Sequence, residues 1–213
     1  MTDTISHHIP DALLDDHAAG RLPHAFGVVV AAHLSLCDAC RARQESYDML
    51  GGALLRDLGP ASLHAGTKER VLAALDAPDA ARAAPIRGSG VFPAPVMAAL
   101  NGLPPRWRVL GGGIRQQILA ADTSGSLRLL YIPPGKAVPE HGHRGLEMTL
   151  VLQGSFSDEA GSFLRGDVET AHAEIDHQPV ANPGEPCICL AATDAPLRFH
   201  AMLPRMLQPL FRI

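Results

Sequence analysis

The stretch HLSLCDAC, residues 33 to 40, gathers His33, Cys37 and Cys40 in a chain of 213 residues that has 4 cysteines in all. Thiolates and imidazoles are the donors zinc prefers, and a closed structural site takes four of them. If the segment is helical, steps of four and then three residues bring the three side chains onto one face. The fourth ligand must come from elsewhere. His7 and His8 are nearest, with His17 and His24 behind them, and residue type alone does not choose. A redox pair at Cys37 and Cys40 would call for a βαβ surrounding that this region lacks. A chance grouping of buried cysteines with a capping histidine is the plainest alternative. Counting His33 with the cysteines favours zinc.

A second group lies in GKAVPEHGHRGLEMTLVLQG. His141 and His143 are two apart, so on a strand they project from one face and can grip one ion. Glu147 has the same parity but would sit roughly 13 Å beyond His143 on a straight strand at ~3.3 Å per residue. The chain must bend between them, and Arg144-Gly145 is the place for it. His177 and His172 on ETAHAEIDHQPV are both candidates for a further ligand. Such a set suits zinc, manganese, iron, nickel or copper without selecting among them. Against it stands the abundance of histidine, 11 in the chain.

The elements that must position these groups differ between the two halves. DALLDDHAAG, LPHAFGVVVAAHL, CRARQESYDMLGGALLRDL and KERVLAALDA read as four helices, a small bundle. The Tyr47, Leu50, Leu54 stripe reads as its core, and Val71, Leu72 and Leu75 give the fourth helix one apolar face. Between Ala77 and Pro95 the chain is rich in Ala, Pro and Gly and reads as a linker. Beyond it, RWRVL, GIRQQILAA, SLRLLYI, EMTLVLQGSFS and CICLAAT alternate like strands between turns, the pattern of a β-sandwich or barrel. Cys187 and Cys189 share one face of the last of these and read as buried, inert thiols. Glu140 and Arg144 read as solvated charges.

Bulk composition narrows the function classes. With 46% hydrophobic and 19% charged residues the chain reads as globular, not disordered. Eighteen Lys and Arg against 22 Asp and Glu give a net charge of −4, and no basic run invites nucleic acid. The polar, acidic N-terminus lacks the pattern of an export signal, and no apolar run approaches the ~20 residues of a membrane span. A cytoplasmic protein is expected, where close cysteines serve metal or thiol chemistry.

These residues resemble known families. Gly135, His141, His143, Glu147 and Gly154 reproduce the first cupin motif, G-x5-H-x-H-x3-E-x6-G, at every defined position. The second, G-x5-P-x-G-x2-H-x3-N, is met by Gly166 and His177 only. His172 and Glu174 replace its Pro and Gly, and Ala181 stands at its Asn, with Asn182 one place later. The match picks His177 as the barrel's fourth ligand. A helical H-x3-C-x2-C unit followed by a cupin resembles the ChrR-type zinc-dependent anti-sigma factors over almost the whole chain.

The resemblance implies an α + β multidomain chain: a zinc-binding helical bundle over 1–78, a linker over 79–95 and a cupin β-barrel (jelly roll) over 96–213. It implies zinc held by His8, His33, Cys37 and Cys40, with His7 the fallback for His8. It implies a second divalent metal (zinc, manganese, iron or nickel) on His141, His143, Glu147 and His177. The bundle would bind and inhibit an extracytoplasmic-function sigma factor. The cupin would be needed to release it under stress such as singlet oxygen or organic hydroperoxides. A cupin metalloenzyme such as an oxygenase, with the bundle as accessory, is the alternative, because a 3-His-1-Glu shell leaves coordination positions open. HLSLCDAC separates the two, since a cupin enzyme has no need of it.

Overall fold

Helices α1 (Asp11–Ala18) and α2 (His24–Leu34) each follow a proline, whose fixed φ and missing N–H suit a helix start. The longer α3 (Asp38–Asp57) is capped by Cys37, whose Sγ accepts from Cys40 N at 3.4 Å. This computed structural model describes residues 4–75, 85–142, 144–172, 176–196 and 198–199. Along α2, Ala25, Phe26, Val29, Val30 and His33 recur at helical spacing and are all buried. They do not face only their sister helices. One continuous core joins Ile9, Leu14, Phe26 and Val29 to Leu127, Leu150 and Leu190 of the β-half.

The β-half is built of antiparallel strands. Its largest sheet has six strands in the order β1 (Arg108–Gly111), β2 (Ile114–Asp122), β3 (Gly125–Ile132), β11 (Cys187–Thr193), β5 (Glu147–Gln153) and β8 (Val168–Ala171). A second sheet joins β10 (Val180–Ala181), β6 (Ser155–Asp158) and β7 (Gly161–Leu164). A third joins β12 (Arg198–Phe199), β4 (His141–Gly142) and β9 (Asp176–His177). Register assigns the faces: Leu130, Val151 and Cys189 stand level across the large sheet, as do Leu129 and Leu150 with Leu190. The first set lines the barrel interior with Phe156, Phe163 and Ala181, and the second carries α2 and the short α5 (Ala94–Ala99) on the outside. Both faces being covered, β11 is buried along its whole length.

Three expectations meet the structure differently. EMTLVLQGSFS is two strands, β5 and β6, broken at Gly154. The bend between the cupin histidines and Glu147 falls at Arg144-Gly145, where a Cβ on Gly145 would run into the Asp194 carboxylate that accepts from Leu146 N at 2.9 Å. The reading of Leu50 and Leu54 as bundle core is overturned. In α3 only Cys40 and Gln44 are buried, and α4 (Thr67–Leu75) buries nothing. Helical periodicity marks an apolar face but not what covers it. Of the linker stretch, residues 76–84 lie outside the described residues, while Val91 and Phe92 pack on the shared core.

Candidate metal centres

The helical centre is assembled from two pieces of chain. The end of α2 and the start of α3 supply His33, Cys37 and Cys40, all buried, and the N-terminal segment supplies His8, which is exposed. Their four ligand atoms lie within 4.8 Å of one another and could hold a metal ion. His8 Nδ1 stands 3.3 Å from Cys37 Sγ and 3.6 Å from Cys40 Sγ. His7 turns away, its ring 4.4 Å from that of Phe163, and His17 Nδ1 meets Gln44 Oε1 at 3.3 Å. His33 Nδ1 donates to the Gly166 carbonyl at 2.8 Å, which leaves Nε2 as the lone-pair nitrogen. That Nε2 is buried and has no hydrogen-bond partner among the described residues, a costly state that a cation would relieve.

Electrostatics suit the same use. Burial lowers the His33 pKa to about 4 against the opposing Gly166 carbonyl, so the imidazole is neutral, as a ligand must be. Burial, with the adjacent Cys37 thiol, pushes Cys40 above its ordinary value. The Arg43 guanidinium opposes this, its Nη2 donating to Cys40 Sγ at 2.8 Å while Nη1 pairs with Asp11 at 2.7 Å. Two imidazoles and two thiols form a donor set that fits zinc.

In the barrel, β4 and β9 pair His141 directly with His177, and the two Nε2 atoms stand 3.2 Å apart. His141 Nδ1 donates to the Pro139 carbonyl at 2.9 Å. His177 Nδ1 donates to Asp158 Oδ2 at 2.8 Å and to Glu169 Oε1 at 3.0 Å. Each ring is thus held by Nδ1, with Nε2 turned toward the other, an arrangement that suits an ion between them. Burial works to lower the His177 pKa, but Glu169 and Asp158 outweigh it and raise it to about 9, so an ion between the rings must displace a proton from His177 Nε2. Glu169 itself rises to about 7, first through burial and then through its neighbour Asp158. Glu147 is buried at the start of β5, and its Oε1 accepts from Thr149 at 3.1 Å. His143 lies outside the described residues. His172 is exposed, and so are Glu140 and Arg144.

Sequence reasoning missed Asp158 and Glu169, which with His177 form a second cluster close enough to hold an ion. They come from β6 and β8 and carry no spacing signal. It also missed Arg43 and Asp167, and it gave Gly166 only as a motif glycine of the barrel. Cys187 and Cys189 lie in the barrel interior with their sulfurs 3.4 Å apart, and their mutual contact and burial push Cys189 well above the usual thiol range.

A barrel with a His/Cys cluster able to hold a metal ion docked on its outer wall defines a two-part cupin protein. A family model described as the ChrR cupin-like domain matches residues 101–196. The anti-sigma-E factor ChrR of Cereibacter sphaeroides is 52% identical over 214 residues, covering 99% of this chain and 100% of the relative. The chain belongs to the ChrR family of anti-sigma factors. The crystal structure of Rhodobacter sphaeroides SigE in complex with the anti-sigma ChrR matches at TM-score 0.79 and 49% identity, covering 90% of this chain and 100% of that one. An RmlC-like cupin protein from Ralstonia eutropha JMP134 aligns at TM-score 0.42 and 19% identity over 46% of this chain and 68% of its own. No single helix among the described residues is long and apolar enough to cross a membrane.

Proposed function

We propose that this chain binds an extracytoplasmic-function sigma factor and holds it away from RNA polymerase; its relatives, the anti-sigma-E factor ChrR and the ChrR seen in complex with SigE, support the reading. One observation carries the reading to this chain's own residues. Leu50, Leu54, Leu55 and Leu58 of α3 and its end, with Val71, Leu72 and Leu75 of α4, are each at least 51% exposed. So many large apolar side chains on two neighbouring helices mark an interaction surface. Residues 1–78 form the binding unit, 79–95 the connection and 96–213 the cupin. The net charge of −4 suits a protein partner better than nucleic acid.

Zinc on His8, His33, Cys37 and Cys40 fixes the turn between α2 and α3 and so the direction in which α3 leaves the barrel. A second divalent metal sits on His141, His143, Glu147 and His177, with Asp158 and Glu169 holding His177 from behind. The cupin is the sensing end, releasing the partner under singlet oxygen or organic hydroperoxide stress in the cytoplasm. A cupin metalloenzyme would leave the helical cluster and the exposed leucines without a use.

Co-purification with extracytoplasmic-function sigma factors from the same genome tests the reading. The unsubstituted chain is expected to form a stable complex, and Leu54→Asp and Leu72→Asp to lose it with zinc content unchanged. Failure of the unsubstituted chain to retain any sigma factor of this class would overturn the proposal.

A further inference from the structure

The N-terminal segment is fastened to the barrel immediately before His8. Ser6 N and His7 N donate to Asp167 Oδ1 at 2.7 and 2.9 Å, and Leu164 N donates to Oδ2 at 2.9 Å. Val168 N donates to the His7 carbonyl at 3.1 Å. The Asp167 side chain has 0% exposure, so the segment closes over it. Gly166 lets the chain come this near: it has φ +94°, and a Cβ there would stand 2.6 Å from Ile5 Cδ1. Its carbonyl is also the acceptor for His33 Nδ1. The turn between β7 and β8 therefore touches one imidazole ligand of the helical centre, His33, through its ring and holds the backbone immediately before the other, His8.

We propose that Asp167 is a positioning residue for the helical metal centre: it clamps the strap that carries His8, so that the barrel sets how tightly the helical unit holds its metal. His8 is the exposed member of the four, and burial does not fix it. Its backbone does, through the two amides that precede it. Groups that orient ligands from behind typically change affinity by about 10- to 100-fold when removed. The clamp belongs to that class although it acts through the main chain. It rests on reading His8, His33, Cys37 and Cys40 as ligands.

The test uses the full chain titrated with Co(II) under chelator competition. Thiolate-to-cobalt absorption reports the Cys37 and Cys40 centre once every variant is made in a Cys187→Ala, Cys189→Ala background, which removes the free thiols of the barrel interior. Absence of that band from the unsubstituted chain would sink the ligand reading itself, before Asp167 is in question. With the band present, Asp167→Ala is expected to weaken Co(II) binding at this centre about tenfold or more. Asp167→Asn, which keeps one acceptor oxygen and preserves the fold better, is expected to fall between. His8→Ala should weaken binding as well, and adding Asp167→Ala to it should cause no further loss, since the clamp acts through His8. An unchanged affinity in Asp167→Ala, or losses that simply add in the double variant, would overturn the proposal. The second outcome would mean a general structural role.

Discussion

Asp167 also titrates in a way that can be followed. Burial alone would raise its pKa, yet the amides of His7, Leu164 and Ser6 hold the carboxyl below its ordinary 3.8. A carboxyl with a depressed folded pKa contributes stability above its unfolded value and loses it as pH falls. The clamp is therefore intact above pH 3.8 and weakens as pH drops beneath it. In metal-free protein the stability gap between the unsubstituted chain and Asp167→Ala is expected to narrow below that pH, measured by urea unfolding at a series of pH values. A gap that stays constant down to the acid limit would show that the carboxylate charge is not what holds the strap.

At the scale of elements, α2 is the piece on which both halves rest. Phe26 is buried to 1% exposure in the core shared with the sheet. Phe26→Ala is expected to cost about 3–5 kcal/mol. Thermal unfolding followed by helical and by aromatic signals should shift together, whereas an unmoved barrel transition would show that the halves melt separately. The sequence made α2 visible as a helix because VVVAAH is apolar between a proline and a polar turn. It did not show what α2 packs against, since an apolar face carries no address. The same blindness misplaced Leu50 and Leu54. CICLAAT and SLRLLYI were legible as strands from their β-branched and apolar runs, and His33, Cys37 and Cys40 from spacing fixed by local helix geometry. Asp158 and Glu169 were illegible because each reaches His177 only when strands of different sheets come together, Asp167 because its partners Ser6 and His7 lie far away in sequence on the N-terminal segment, and α5 because six residues rich in Ala give no periodicity.

For the whole molecule, a fragment ending near residue 85 is expected to retain the exposed apolar side chains of α3 and α4 proposed to bind the sigma factor. It would lose Gly166 and Asp167 and uncover Ala25, Val29 and Val30 on α2. It should therefore still inhibit the partner, yet be less soluble and bind zinc more weakly than the full chain, as pull-down and chelator titration would report. A fragment with full metal affinity would weaken the case for the barrel's part in the helical centre. The large sheet has a mechanical consequence of its own. Leu150 and Leu190 press outward against the helices while Val151 and Cys189, their immediate neighbours in sequence, press inward on the barrel filling. Close-packed interiors transmit strain because they have few voids to absorb it. The sheet is thus a party wall between two rooms, and furniture moved in one of them shifts the plaster in the other.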